Sequence, residues 1–476
     1  MKYSRMTAAA SLYICFLIWA VHSVIAQDIP AVSYEKRIQI DRIFAHFNHD
    51  TPGAALAVVK DGEILYAQGY GMANLEYDIP TTPQSVFHVA SISKQFTAMS
   101  IVLLAQQGKL LLDDPIRKHL PEVPDFGETI TIRHLIHHIS GLRDQWELFS
   151  MSGWRGRDLK AQEDVLNFVV HQNDLNFTPG SEYLYCNTGY TLLAIIVERV
   201  SDMSFKEFTG RNIFEPLGMS RTHFHDDMGL IVKGRAYAYR PRQGGDFEIS
   251  IPNFETVGAT SLFTTVEDLA LWADNFNHKH VGGSEAIDQM FVKGMLNNDE
   301  DIDYAFALTH GMYRGIRTIG HSGSDAGYRA QFTMYPDQNM AIIVLSNVSN
   351  GNPGRLARQV ADVVLEEYFT EPVQESQQRS REREETPEPP VLTEAQRAEY
   401  AGRYYSEELD VYYVVTVVEG NLALQQKKFE GSILNYRGND LFAAGRQYQF
   451  TRDRSGRIDG FNLSSGRVRN LRFIKR

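Results

Sequence analysis

The period of apolar and polar positions changes several times along this chain, and each change predicts an element. Ala54 to Val59 and Glu63 to Tyr70 are two β-rich runs joined across Lys60-Asp61-Gly62, which predicts a hairpin. The apolar run Phe96 to Leu104 predicts a buried helix that ends near Gln107. Further helices are expected over Ile130 to Ile139, Leu159 to His171, Thr191 to Val200, Ser204 to Glu215 and Val266 to Phe276. Ser140-Gly141 stops the first of these, and Thr265 is a natural N-cap for the last. Arg221 to Val257 reads as loop-rich. β-like runs return at Arg317 to His321, Arg329 to Tyr335 and Ala341 to Asn347, the last two forming a hairpin across Pro336 to Asn339. Arg355 to Tyr368 predicts a closing helix. Strands at both ends with helices between predict an α+β domain, one antiparallel sheet built from both termini around an all-helical insertion.

After that domain the pattern breaks. Residues 371–391 are charged, carry prolines and hold few apolar positions, which is linker composition. A short helix at Thr393 to Tyr400 follows, and then closely spaced alternating runs such as Val411 to Val418, Asn421 to Gln425 and Gln447 to Thr451. That spacing predicts a small β-barrel or sandwich over 392–476. At the other end, Lys2 and Arg5 precede an apolar stretch from Ala8 to Val21, and Val24-Ile25-Ala26 offers small residues for cleavage. Residues 1–26 therefore read as a signal peptide, which leaves 27–370 as the main domain and makes the chain exported, to the periplasm or outside the cell. No later run is long enough to span a bilayer.

Composition narrows the partners. With 476 residues, 43% of them hydrophobic, and a net charge of -12, the chain can bury a large core but is a poor ligand for nucleic acid. Of its two cysteines, Cys15 leaves with the signal, so Cys186 has no intrachain partner. A small molecule or peptide is the expected partner, and oligomeric state is not readable from the sequence.

Three constellations carry candidate chemistry. The first is Ser91-x-x-Lys94, just ahead of the buried helix. A spacing of three puts lysine and serine on one helical face, where a lysine with a depressed pKa can take the hydroxyl proton. The same pattern at Ser33 to Lys36 has no apolar run behind it and reads as a helix cap. The second is Tyr185-x-Asn187, a phenol and a carboxamide on a loop that can face one site. The third is His321-Ser322-Gly323, where a β-like run ends; Gly323 would let a substrate approach the backbone, and the N–H of Ser324 is a candidate oxyanion donor. His280-Val281-Gly282 is a decoy in a polar stretch. His134, His137 and His138, and likewise His223, His225 and Asp227, have spacings that metals use, but neither set is complete enough to assign a metal, and no cofactor is expected. The absence of Gly-x-Ser-x-Gly argues against an α/β-hydrolase.

In that order, these constellations resemble the penicillin-binding serine hydrolases, specifically the class C β-lactamase-like group of esterases, D-aminopeptidases and D-Ala-D-Ala carboxypeptidases. The resemblance runs from about Glu35 to Tyr368 and includes Ile130 to Leu142, Pro179-Gly180-Ser181 and Pro216-Leu217-Gly218-Met219. It implies the β-lactamase/transpeptidase-like fold and an acyl-enzyme on Ser91, with Lys94 and Tyr185 sharing the base role. It further implies an oxyanion hole from the N–H groups of Ser91 and Ser324, and an acyl side chain held by Asn187. His138 and the loop holding His223 and His225 become scaffold. Tyr400-Ala401-Gly402-Arg403-Tyr404 resembles the start of the lipocalin-like barrel appended to many such hydrolases. The departure is His321, which stands where β-lactamases of this group carry a lysine. A histidine is mostly neutral at pH 7, so the expectation shifts from β-lactams and carboxypeptidase substrates toward esters or other small peptides. A catalytically silent binding protein on the same fold is the rival reading.

Overall fold

A computed structural model of the chain describes residues 32–372, 391–428 and 431–476. The segment expected to be a signal peptide, 1–26, and nearly all of the expected linker at 371–391 lie outside the described residues. The central sheet has six strands, β1 (Ala54–Lys60), β2 (Glu63–Tyr70), β3 (Thr309–Tyr313), β4 (Ile316–Asp325), β5 (Tyr328–Tyr335) and β6 (Met340–Ser346). Their order is β3-β4-β5-β6-β1-β2, antiparallel throughout. The first hairpin thus docks on the last strand, with Ala54 opposite Ser346 and Lys60 opposite Met340. This is the expected sheet built from both termini.

β1 is apolar at successive positions because both of its faces are covered. Ala54, Leu56 and Val58 share a core with Ile40 and Phe44 of α1 (Tyr34–Phe44) and with Leu356 and Val360 of the closing helix. Ala55, Ala57 and Val59 face the larger core, which is built on α2 (Ser93–Gln106) and α3 (Asn187–Ser201). Every residue of α2 from Ser93 to Val102 is buried, so its polar members need partners inside. Gln95 accepts from the Trp272 indole at 2.7 Å, and the Thr97 hydroxyl donates to the Gly258 carbonyl at 2.8 Å.

Three helix limits differ from the periodicity. The segment expected to be helical from Ile130 to Ile139 is helical only over Ile132–Ile136, because His138 turns to φ +60°. The helix expected over Leu159 to His171 starts at Gln162, since Lys160 forms a bridge with Phe254 instead. Asn187, expected on a loop, is the first residue of α3; the Asp144 carboxylate accepts its N–H at 2.7 Å and so extends the helix back by one turn.

The C-terminal part is a nine-stranded antiparallel sheet running from Gly402 to Lys475. Its two edge strands, Ser432–Ile433 and Asn435–Gly438, are consecutive in the chain with only Leu434 between them. The sheet must therefore curl until its edges meet, giving a nearly closed barrel around Tyr404, Tyr413, Phe450, Phe461 and Phe473. Leu148 and Met151, from the helix Gln145–Met151 of the main domain, belong to the same core. The last carbonyls of that helix, which lack helical partners, are met by the barrel: Tyr413 Oη donates to Met151 O at 2.7 Å, and Gln426 Nε2 to Ser150 O at 2.7 Å. Among the described residues no helix is long and apolar enough to cross a membrane.

Candidate active site

The strand Phe87–His88 pairs with Leu262–Thr264 and delivers the chain to a sharp turn. Ala90 takes φ +48°, a conformation that costs an alanine roughly 1–3 kcal/mol, and a 3-10 turn over Ala90–Ile92 leads into α2. That turn presents Ser91 at the floor of a pocket of about 320 Å3. Tyr185, Asn187, His321 and Ser324 line the same pocket, and Lys94 lies fully buried beneath it. Six of the seven residues singled out in the sequence thus converge.

The seventh, Gly323, sits behind the wall. A Cβ there would stand 2.2 Å from the Val89 carbonyl oxygen and 3.3 Å from Ala90 Cβ. Its missing side chain makes room for the site's own backbone, which lets β4 press against the turn that carries Ser91. From His321 onward the outer edge of β4 has no strand partner among the described residues, since β3 pairs with it only as far as Gly320. The open edge therefore borders the pocket.

Lys94 Nζ has three neighbours: Ser91 Oγ at 3.1 Å, Asn187 Oδ1 at 2.9 Å and the Ala259 carbonyl at 2.7 Å. Burial drives its pKa down to about 7, against the pull of Asp325 and Asp144 and with help from Arg467. A neutral amine has two N–H donors and one lone pair. Two of the three neighbours are pure acceptors, so they take the two donors and the lone pair is left for the Ser91 hydroxyl. The amide of Asn187 is held the right way round by Asp144, which accepts from Asn187 Nδ2 at 2.7 Å.

Tyr185 has the opposite bias. Burial raises its pKa well above the ordinary phenol value, only partly offset by Ser91, and its hydroxyl has no partner at full hydrogen-bond geometry. It is a protonated phenol with a free donor. His321 is neutral as well. Burial first, then the nearby Lys94, pushes its pKa down to about 4. Its Nδ1 faces the Ser322 carbonyl at 2.6 Å and must carry the proton, so Nε2 accepts from Tyr304 Oη at 3.1 Å. The histidine supplies no cation to the pocket.

Four further residues complete the site. Asp144 is fully buried at the start of the helix Gln145–Met151, whose Trp146 lines the pocket. Asp325 ends β4; burial raises its carboxyl pKa, and Thr260 donates to it. It follows Ser324 directly, so the third constellation could have included it. Arg467 comes from the last hairpin of the barrel, donates to Asp144 at 3.2 Å and lies 5.2 Å from the centroid of the Tyr185 ring. Its place in the pocket corresponds to no local pattern.

His138 holds the backbone of the site. His138 Nδ1 accepts the N–H of Cys186 at 3.0 Å and so shapes the turn between Tyr185 and Asn187. Among the described residues, neither predicted cluster gathers three ligand atoms; only Asp274, His278 and His280 do so, on the surface away from the pocket.

The antiparallel sheet, the Ser-x-x-Lys turn pressed against its edge and the lysine beneath define a serine hydrolase. The chain belongs to the Beta-lactamase family, whose model matches residues 40–365. It is 31% identical over 319 residues to penicillin-binding protein 4* of Bacillus subtilis, which covers 63% of this chain and 68% of that one. It is 27% identical over 296 residues to a D-aminopeptidase of Gluconobacter oxydans, covering 62% of this chain and 56% of the relative. A solved structure of an octameric penicillin-binding protein homologue from Pyrococcus abyssi is similar, with a TM-score of 0.62 and 25% identity, covering 93% of this chain and 99% of its own.

Proposed function

We propose that this chain is an exported hydrolase that cleaves an ester or a small peptide or amide through an acyl-enzyme on Ser91. The observation that carries the reading is the surround of Lys94, whose amine lies within 3.1 Å of two carbonyl oxygens and of Ser91 Oγ, so that in its neutral form the lone pair can turn to the serine. Lys94 takes the Ser91 proton as Oγ bonds to the substrate carbonyl carbon. The N–H groups of Ser91 and Ser324 receive the developing oxyanion. As the bond to the leaving group breaks, Tyr185 gives that group its proton and is reprotonated by the Lys94 ammonium. Water then repeats the sequence on the acyl-enzyme. The high pKa of Tyr185 supports the donor role over the base role. Asn187, bound to both Lys94 and Asp144, still faces the pocket and is assigned the acyl side chain.

The neutral His321 favours esters and small peptides over substrates that need a fixed cation at that position. The Gluconobacter relative, a D-aminopeptidase, favours the peptide branch over the ester branch. Export rests on the N-terminal sequence pattern alone. The test is mass spectrometry of the mature protein after a fluorophosphonate probe, a penicillin and a p-nitrophenyl ester. A single adduct on Ser91 with ester turnover, both absent in Ser91→Ala, is expected. Turnover by Ser91→Ala overturns the nucleophile, and efficient nitrocefin hydrolysis reverses the order of substrates.

A further inference from the structure

The last hairpin of the barrel does more than wall the pocket. It reaches the catalytic lysine through an unbroken chain of polar contacts. Arg467 Nη1 donates to Asp144 Oδ2 at 3.2 Å. The same oxygen accepts both the backbone N–H and the side-chain Nδ2 of Asn187, each at 2.7 Å. Asn187 Oδ1 in turn accepts from Lys94 Nζ at 2.9 Å. The turn that carries Arg467 is clamped on both sides: Asn176 Nδ2 donates to the Arg467 carbonyl at 2.9 Å, and Ser465 Oγ donates to Glu147 Oε2 at 3.1 Å. Gly466 between them, at φ +47°, lies so close to Glu147 that a Cβ would stand 2.9 Å from its Oε1.

We infer that Arg467 is a positioning residue for the hydrolase: it neutralises and orients Asp144, so that Asn187 presents its carbonyl to Lys94 and the lysine stays an uncharged base. The inference rests on the role given to Lys94 above. On this view the barrel is part of the active centre, and the pocket is incomplete without it.

The charge balance at Lys94 fits this assignment. Around the amine stand Asp144 and His138 from the main domain and His321 and Asp325 from β4. Tyr185 and Cys186 face it from just ahead of α3, Tyr190 from the first turn of that helix, and Arg467 from the barrel. His138 and His321 are held neutral by burial, and burial also keeps Tyr185, Cys186 and Tyr190 protonated. The carboxylates favour the ammonium form, and the Arg467 cation opposes them. Lys94 and Arg467 lie 5.0 Å and 5.2 Å from the centroid of the Tyr185 ring, close enough for a shift of about one pH unit.

The experiment follows Ser91 acylation by a fluorophosphonate, and ester turnover, from pH 5 to 10 in the full mature chain. The wild type is expected to lose rate below about pH 7, as Lys94 takes up a proton. In Arg467→Met this acid limb moves up by about one pH unit, so the rate falls about tenfold at pH 6.5 and the deficit shrinks as pH rises. Arg467→Lys keeps the limb close to that of the wild type. Asp144→Asn, which removes an anion, moves the limb the opposite way, a signature that loosening of the fold would not give. The inference is overturned by a loss in Arg467→Met that is equal at every pH, or by limbs that stay put in both Arg467→Met and Asp144→Asn. A wild-type profile flat through neutrality overturns both this inference and the base assignment to Lys94.

Discussion

Gly323→Ala puts the packing of the Ser91 turn to a quantitative test. The added Cβ would stand 2.2 Å from the Val89 carbonyl oxygen and 3.1 Å from its carbon. That first distance is about 1 Å inside van der Waals contact. Both partners are backbone, so no rotamer change relieves the clash. β4 and the Ala90 turn must separate by about 1 Å, and the N–H groups of Ser324 and Ser91 ride on those two segments. Misplacement by 1 Å costs on the order of 100-fold in rate, about 2.7 kcal/mol, while overpacking costs roughly 1–3 kcal/mol of stability. Gly320→Ala is the matched control. On the same strand, its Cβ would meet the Phe332 carbonyl at 2.1 Å, inside the sheet and away from the turn. Acylation rates and thermal unfolding of both variants are the assay. Gly323→Ala is expected to lose about 100-fold in acylation, and Gly320→Ala to lose stability with a much smaller rate effect. Equal rate losses in the two, or a Gly323→Ala variant within threefold of wild type, would refute the reasoning.

Other outcomes follow from buried charge. Glu408→Ala removes the carboxylate 2.6 Å from Arg143, whose side chain is 1% exposed; stranding that guanidinium costs about 3–5 kcal/mol, read as a lowered calorimetric transition. Glu408→Gln, which keeps an acceptor, should lose clearly less, and equal losses would show that charge is not the cause. His321→Gln keeps a donor for Ser322 and an acceptor for Tyr304, so the pH dependence of acylation between pH 6 and 8 should be unchanged; a moved limb would mean that His321 titrates there. Neutral histidines, the buried His137 and His321 and the half-buried His223, with pKa values near 4, bind protons more weakly folded than unfolded. Stability should therefore be full above pH 6.5 and fall as pH drops toward 4, with a shallower slope in His321→Gln, measured by urea titration at each pH.

The sheet was legible because local patterns carry it. Each run of β1 and β6 is bounded by turn residues, and the turn chemistry at Lys60-Asp61-Gly62 and Pro336 to Asn339 fixes both hairpins. Ser91 and Lys94 were legible for the same reason, since three positions on one helix set their distance. Asn187 was assigned to a loop because the residue that starts its helix is Asp144, 43 positions earlier. Arg467 was beyond reach altogether. It meets Asp144 across 323 residues, and the hairpin that carries it reads like any surface turn. Gly323 was read as space for substrate, whereas the space is filled by Val89, a partner that only the folded chain reveals.

The sheet built from both ends also sets a timetable. Ser346, whose hydroxyl donates to the Gly53 carbonyl at 3.1 Å, follows it by 293 residues. At synthesis rates of about 5–20 residues per second, β1 waits roughly 15–60 s for its partner β6 to be made. Until then α2 has no sheet to lie on and the Ser91 turn has no β4 to lean against. Arg467 emerges later still. The nascent chain is therefore an unfinished enzyme for almost the whole of its synthesis, and the site closes only when the last hairpin of the barrel has been made.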